Sequence, residues 1–256
     1  MSANPVPVLP KGRRRQPDAS REAILKSASI EFANEGLSGA RMDAIARSAG
    51  VNKALLYYYF HDKDALYRAV LDQFFQPLFQ QLIAVLDSSA SAGQRILDYA
   101  RAHFDSIAET PHYARLFQGE MMSAGRGMSP HLSEIVDRYT RPLSEQLMVT
   151  LSDGVANGEF RKIDVFQFIP SMVATIVFYF VTAPVLRQLR GFEPFSPEAI
   201  QARRAAVLDQ IAAALFADRD AGLCMAAAIA AEGDLSGDRE LVAAKPYQRV
   251  AARRRK

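Results

Sequence analysis

The chain has 256 residues, 49% of them apolar and 23% charged. That balance is ordinary for a soluble globular protein, so wholesale disorder is excluded and one long domain or two short ones are expected. A single cysteine, Cys224, excludes an internal disulfide and any four-cysteine metal site. Its rarity fits a reducing compartment, and the opening MSANPVPVLPKGRRR lacks the apolar core of a signal peptide, so a cytoplasmic location is expected. The net charge of +3 is unevenly spread: Lys11, Arg13, Arg14 and Arg15 bring residues 1–15 to +4, while Arg249, Arg253, Arg254, Arg255 and Lys256 bring 249–256 to +5, which leaves −6 on 16–248. Basic arms of this kind either meet nucleic acid or are solvated tails, and composition alone does not choose.

In chain order the periodicity is helical, and strand-like alternation is nearly absent. Asp18 is a good N-cap for a helix that presents Ile24, Leu25, Ala28 and Phe32 on one face and stops at Gly36. Two short helices follow, over 42–48 and 53–59, separated by Ala49-Gly50-Val51. Asp62 can cap a longer helix through Leu86, in which Pro77 predicts a kink. Residues 91–109 and 111–122 read as two helices parted by Thr110-Pro111, and Gly125 and Gly127 mark a loop. Ser129-Pro130 opens a helix whose stripe, Leu132, Ile135, Val136, Tyr139, Leu143, Leu147, Leu151 and Val155, ends at Gly158. Asp164 opens the next, which runs to Gly191, and Ser196-Pro197-Glu198 opens the last long one, with Ile200, Val207, Leu208, Ile211 and Leu215 facing inward. Beyond Gly222 the chain is alanine-rich and then basic, and is expected to fray.

Residues 165–186 carry no charge and are long enough to span a membrane. They contain Pro170 and Pro184 and stand alone, so a helix buried in the body or at a subunit interface is the better reading, and no membrane partner is expected.

The informative segment is ARMDAIARSAGVNKALLYYYF, residues 40–60. Ala46, Ala49 and Gly50 let two short helices approach and turn tightly, while Ile45, Val51 and Leu56 supply the apolar pocket between them, as a helix-turn-helix requires. Asn52 is a strong N-cap and fixes where the second helix begins. At about 100° per residue from Lys53, Tyr57, Ala54 and Tyr58 fall within about 140° on one face, and Leu55, Leu56, Tyr59 and Phe60 fall on the other. The second face packs inward. The first points outward, and a lysine, two tyrosines and an alanine suit the phosphates, base edges and thymine methyls of a major groove.

The order of these signals resembles the TetR-type (tetracycline repressor-like) family of transcriptional regulators over about residues 18–78: a helix ending FANEG, then DAIARSAGVNKALLYYYFHDKDALYRAVL. The resemblance implies an all-α fold in which a three-helix helix-turn-helix head (18–78, motif 41–60) precedes a larger helical ligand-binding and dimerisation body (79–220). A basic arm (1–17) and an alanine-rich, then basic, disordered tail (221–256) flank them. It further implies that Lys53, Ala54 and Tyr57 touch bases and that Tyr58, Tyr59 and Lys63 approach the backbone of a double-stranded operator. Three positions depart from the family pattern: Leu55 replaces a phosphate-binding threonine, Tyr59 replaces a histidine, and Ala40-Arg41 replaces a hydroxyl cap, leaving Arg41 to supply a phosphate contact. Residues 18–68 carry seven basic and seven acidic side chains, so attraction to DNA must come from a few placed cations plus Arg13, Arg14 and Arg15 in a neighbouring minor groove.

For the body, the resemblance implies a homodimer whose last two long helices, 164–190 and 196–217, build a four-helix interface, with an effector pocket among the middle helices. Polar or aromatic residues inside apolar helices are the pocket candidates: His103, Phe104, Tyr113, Phe117, Met121, Phe178, Tyr179 and Thr182. Aromatics with few charges suit a small hydrophobic effector whose identity the sequence does not give. The function expected is a repressor released from a palindromic operator by that ligand. An enzyme and a helical scaffold with a non-functional head are the alternatives. His61, His103, His112 and His131 show no ligand spacing, and no phosphate loop, Gly-x-Ser-x-Gly or dinucleotide fingerprint occurs, so neither catalysis nor a metal or cofactor is expected.

Overall fold

The computed structural model describes residues 17–110, 115–116, 118–120, 129–191 and 193–232. The chain divides into two compact units at Leu71/Asp72, seven residues before the boundary expected at 78. The arm and the basic C-terminal segment lie outside the described residues, as does most of 111–122, of which 115–116 and 118–120 are helical.

The first unit comprises α1 (Pro17–Gly39), α2 (Met42–Ala49), α3 (Lys53–Phe60) and the start of α4 (Lys63–Leu86). Gly36 breaks the helical path of α1 where the sequence placed its end, at φ 67° and ψ 174°, a backbone state that costs glycine least. Ile24, Leu25, Ala28 and Phe32 of α1 are buried, as are Ile45, Leu56, Phe60, Leu66 and Val70, and Phe32 meets Tyr67 edge-on at 4.9 Å.

In the second unit α4 continues to Leu86, helical throughout despite Pro77. It is followed by α5 (Ala92–Glu109), α6 (Pro130–Ile135), a π-helical turn (Val136–Thr140), α7 (Arg141–Ala156), α8 (Val165–Arg190), α9 (Pro197–Leu215) and α10 (Arg219–Glu232). Ser91, Ser129, Asp164 and Ser196 each cap the helix that follows by accepting a backbone N–H. α5 is the axis of the core: Ile96, Leu97, Tyr99, Ala100 and Phe104 have no exposed surface. Full burial of each large side chain contributes roughly 1.5–3 kcal/mol before entropy is charged against it.

Two expectations are corrected. The stripe from Leu132 to Val155 is not one uninterrupted α-helix, because the π turn interposes. Pro142 explains it: proline has no N–H for the carbonyl of Arg138 and its ring would strike it, so the helix widens just before. And the alanine-rich stretch from Gly222 to Glu232 is helical rather than frayed. α10 runs on to Glu232 with Gly222, Ala226 and Ile229 buried. A Cβ on Gly222 would strike Phe216, whose ring meets Phe160 edge-on at 5.4 Å, so glycine is what lets α10 close over this pair. Among the described residues there is no strand, only an isolated bridge between Phe160 and Phe216.

Candidate functional site

In the first unit, α2 and α3 are joined by Gly50 in the left-handed conformation, φ 66°, whose N–H closes the end of α2. The Asn52 side chain accepts from Leu55 N–H at 2.7 Å, so α3 begins where the sequence placed it. Leu56 and Phe60 are buried, whereas Asn52, Lys53, Ala54, Tyr57 and Tyr58 are exposed, Tyr58 by 75%. This is the split the helical wheel predicts. Lys53 Nζ pairs with Asp43 of α2 at 2.8 Å and lies 5.9 Å from the Tyr57 ring centre. Their hydrogen bond holds the Asp43 carboxyl below its usual value and raises Lys53. Tyr59 is half-buried, edge-on to Tyr58 at 5.5 Å. Arg41 is exposed at the N-cap of α2, where no side chain caps the helix, and its backbone N–H donates to Glu31.

Lys63 differs from expectation. Its ammonium donates to the carbonyls of Ser38 at 3.1 Å and Ala40 at 3.3 Å, and so ties α4 to the loop before α2. Phosphate would have to compete with those carbonyls. Arg13, Arg14 and Arg15 lie outside the described residues.

The second unit contains a cavity of about 180 Å³. Four segments wall it, each through a stripe at helical spacing. α5 supplies Tyr99, His103 and Ile107; α8 supplies Ile169, Val173 and Val177; α4 supplies its phenylalanines from Phe74 to Phe79 with Leu78; and Thr140, Leu143, Ser144 and Leu147 close the last side. None of the described lining residues carries a formal charge. Tyr99 Oη lies 3.1 Å from His103 Nδ1, and burial pushes the imidazole down to about 4 and the phenol up. His103 is therefore neutral at pH 7.

A stability prediction follows. The folded pKa of His103 lies below the unfolded value of 6.5, so the unfolded state takes up the proton first as pH falls. Stability is then complete above pH 6.5 and is lost toward pH 4, by about 2–3 kcal/mol. Urea midpoints measured across that range should fall, and His103→Phe should flatten the slope. An equal slope in both proteins would assign the acid sensitivity elsewhere.

Of the pocket candidates, His103 lines the cavity. Tyr113, Phe117 and Met121 lie outside the described residues. The other four are not among the described residues that line this cavity. Phe104 is fully buried against Phe180 at 4.9 Å. Tyr179 donates to the Pro194 carbonyl at 2.7 Å, and Thr182 bonds back to its own helix at Phe178. Phe178, 64% exposed, lies about 100° round α8 from Val177 and points away. The residues that sequence reasoning missed are the aromatics of α4 and the valine stripe of α8. Both follow four-residue spacing, but spacing marks a row only as apolar, not whether it packs in the core or lines a cavity.

α8 carries a second feature. Phe178, Val185 and Leu189 fall within about 40° on one face and are 64%, 56% and 73% exposed, with Ser171 and Ala174 continuing the row. The uncharged stretch is thus half-covered rather than buried all round. Over Val165–Leu189 it is long and apolar enough to cross a membrane, the one such helix among the described residues.

Comparison with known proteins agrees with this anatomy. Residues 24–70 match the model of the tetR family of bacterial regulatory proteins, and residues 93–211 match that of a tetracyclin repressor-like C-terminal domain. The HTH-type transcriptional regulator RutR of Escherichia coli is 30% identical over 179 residues, 70% of this chain and 82% of RutR. The HTH-type transcriptional repressor SCO4008 of Streptomyces coelicolor is 34% identical over 130 residues, 51% of this chain and 64% of that protein. In fold, the ketosteroid transcriptional regulator KstR2 of Mycobacterium tuberculosis superposes with a TM-score of 0.64 at 23% identity, over 77% of this chain and 95% of KstR2.

Proposed function

Because the chain belongs to the TetR family and is a DNA-binding transcriptional regulator, we propose that it works as a homodimeric repressor. In this reading each α3 enters a major groove of a pseudo-palindromic operator, and a small apolar molecule in the second unit's cavity releases the DNA. The observation that carries the reading is the exposed face of α3, where Lys53, Ala54, Tyr57 and Tyr58 stand clear of the core. Lys53, Ala54 and Tyr57 are assigned to bases, and Tyr58, Tyr59, Arg41 and the capped start at Asn52 to the sugar-phosphate backbone. Lys63 joins the second group only if phosphate draws it from the Ser38 and Ala40 carbonyls. Arg13, Arg14 and Arg15 are assigned to an adjacent minor groove. Deleting residues 1–15 should flatten the salt dependence of log K by roughly 0.9 for each phosphate the arm neutralises, and an unchanged slope would make the arm idle.

The exposed row on α8 supports a dimer formed with α9, since a monomer rarely leaves so continuous an apolar strip in water. Release is assigned to α4. Its first residues belong to the head unit, while Phe74 to Phe79 line the cavity. Asp72 of α4 accepts from Tyr139 in the π turn at 2.8 Å, beside cavity-lining Thr140, so a ligand that resets the turn acts on α4. By reciprocity, operator must weaken effector binding by the same factor that effector weakens operator binding.

Lys53→Ala and Tyr57→Ala test the base assignment. Each should cost about 1–3 kcal/mol on the preferred duplex and relax preference at one position, as read by titrating a panel of single-base variants. Equal loss on preferred and random duplex would move that residue to the backbone group.

A further inference from the structure

The cavity also carries a statement about what fills it, which rests on the reading of this cavity as the effector site. We infer that it takes an uncharged ligand built on one six-membered ring and bearing a single hydrogen-bond-accepting oxygen, which the Nε2–H of His103 holds.

Size sets the first limit. An apolar cavity of about 150 Å³ accepts benzene, so about 180 Å³ accommodates one ring with a short substituent, and a fused polycycle does not fit without displacing the walls. Charge sets the second. The described walls are phenylalanine, leucine, isoleucine and valine together with Tyr99, His103, Thr140 and Ser144, and none of these side chains is an acid, lysine or arginine. A carboxylate or an ammonium would shed its water there without a countercharge.

The hydrogen-bond pattern sets the third. Tyr99 is fully buried, and a buried phenol must donate its proton to something. The acceptor it reaches is His103 Nδ1 at 3.1 Å. Nδ1 is therefore the bare nitrogen, and in a neutral ring the hydrogen sits on Nε2. Nε2 has no hydrogen-bond partner among the described residues, although the ring lines the cavity. One oriented donor in a mostly apolar chamber selects a ligand with one acceptor. The Thr140 and Ser144 hydroxyls can turn to carbonyls of their own helix, so they tolerate apolar atoms beside them.

Calorimetry on the full chain with four probes tests this. Acetophenone should bind about fivefold more tightly than ethylbenzene, which has the same ring but no acceptor, as one net hydrogen bond allows. Benzoate and progesterone, one charged and one of four rings, should not bind measurably at the same concentrations. In His103→Phe the acetophenone preference should vanish while ethylbenzene still binds; if that variant does not fold, the wild-type ranking decides alone. No heat from acetophenone, or benzoate or progesterone binding as well as it does, overturns the inference, as does a preference that survives His103→Phe. Operator release is read separately. Acetophenone that binds as stated yet leaves operator affinity unchanged would retire the effector reading and leave the ligand class standing.

Discussion

Phe178→Glu combined with Leu189→Glu should convert the proposed dimer to a monomer and weaken operator binding by at least about 100-fold. Both side chains are mostly exposed in the single chain, so the fold of one subunit does not depend on them. A two-fold interface places each substitution twice, so four carboxylates would have to be desolvated against apolar partners, at several kcal/mol in all. The monomer then reads one half-site and loses the additive contribution of the second. Sedimentation equilibrium of the variant, with circular dichroism to confirm unchanged helicity, measures the first effect. A variant that still sediments as a dimer would place the interface on another surface.

Asp105→Ala should cost about 3–5 kcal/mol, because it strips a counter-ion from a guanidinium in the core. Arg204 of α9 is 1% exposed, and its Nη1 donates to both carboxylate oxygens of Asp105 on α5, at 3.2 and 3.3 Å. Burial raises the Asp105 pKa more than Arg204 lowers it. The pair as a whole is therefore no great stabiliser, while either partner alone is costly. Adding Arg204→Met to Asp105→Ala should accordingly recover most of the loss. Urea unfolding of the two single variants and the double variant separates these effects. A double variant no more stable than Asp105→Ala would show that other partners of Arg204 dominate.

The head was legible because its signals are local. Asn52 caps whatever follows it, Gly50 supplies a left-handed turn, and the α3 wheel sorts Leu56 and Phe60 from Lys53, Ala54 and Tyr57 without reference to the rest of the chain. The inward row of α9 was legible for the same reason, since Ile200, Val207, Leu208, Ile211 and Leu215 repeat at helical spacing beside charged neighbours. What spacing could not supply was the use of apolar faces on helices that are apolar all round. On α8, Val173 and Val177 line the cavity, Ile176 is core and Phe178 is exposed, though all four belong to one uncharged run. Nor does spacing mark Arg204 as buried, because that depends on Asp105, 99 residues away. The π turn had a local sign in Pro142, a proline inside a helical stripe. The Lys63 bond to the α1–α2 loop had none.

Selection of bound duplexes from a random pool by the intact protein tests whether α3 is the reading element of a two-fold dimer. The selected duplexes should share a pseudo-palindrome with two half-sites about one helical turn, or a multiple of it, apart. Tyr57→Ala, selected in parallel, should lose information at the same position in both halves. Enrichment of an asymmetric site, of no site, or of an identical motif by wild type and Tyr57→Ala would contradict the account of α3 as the reading element of a two-fold dimer.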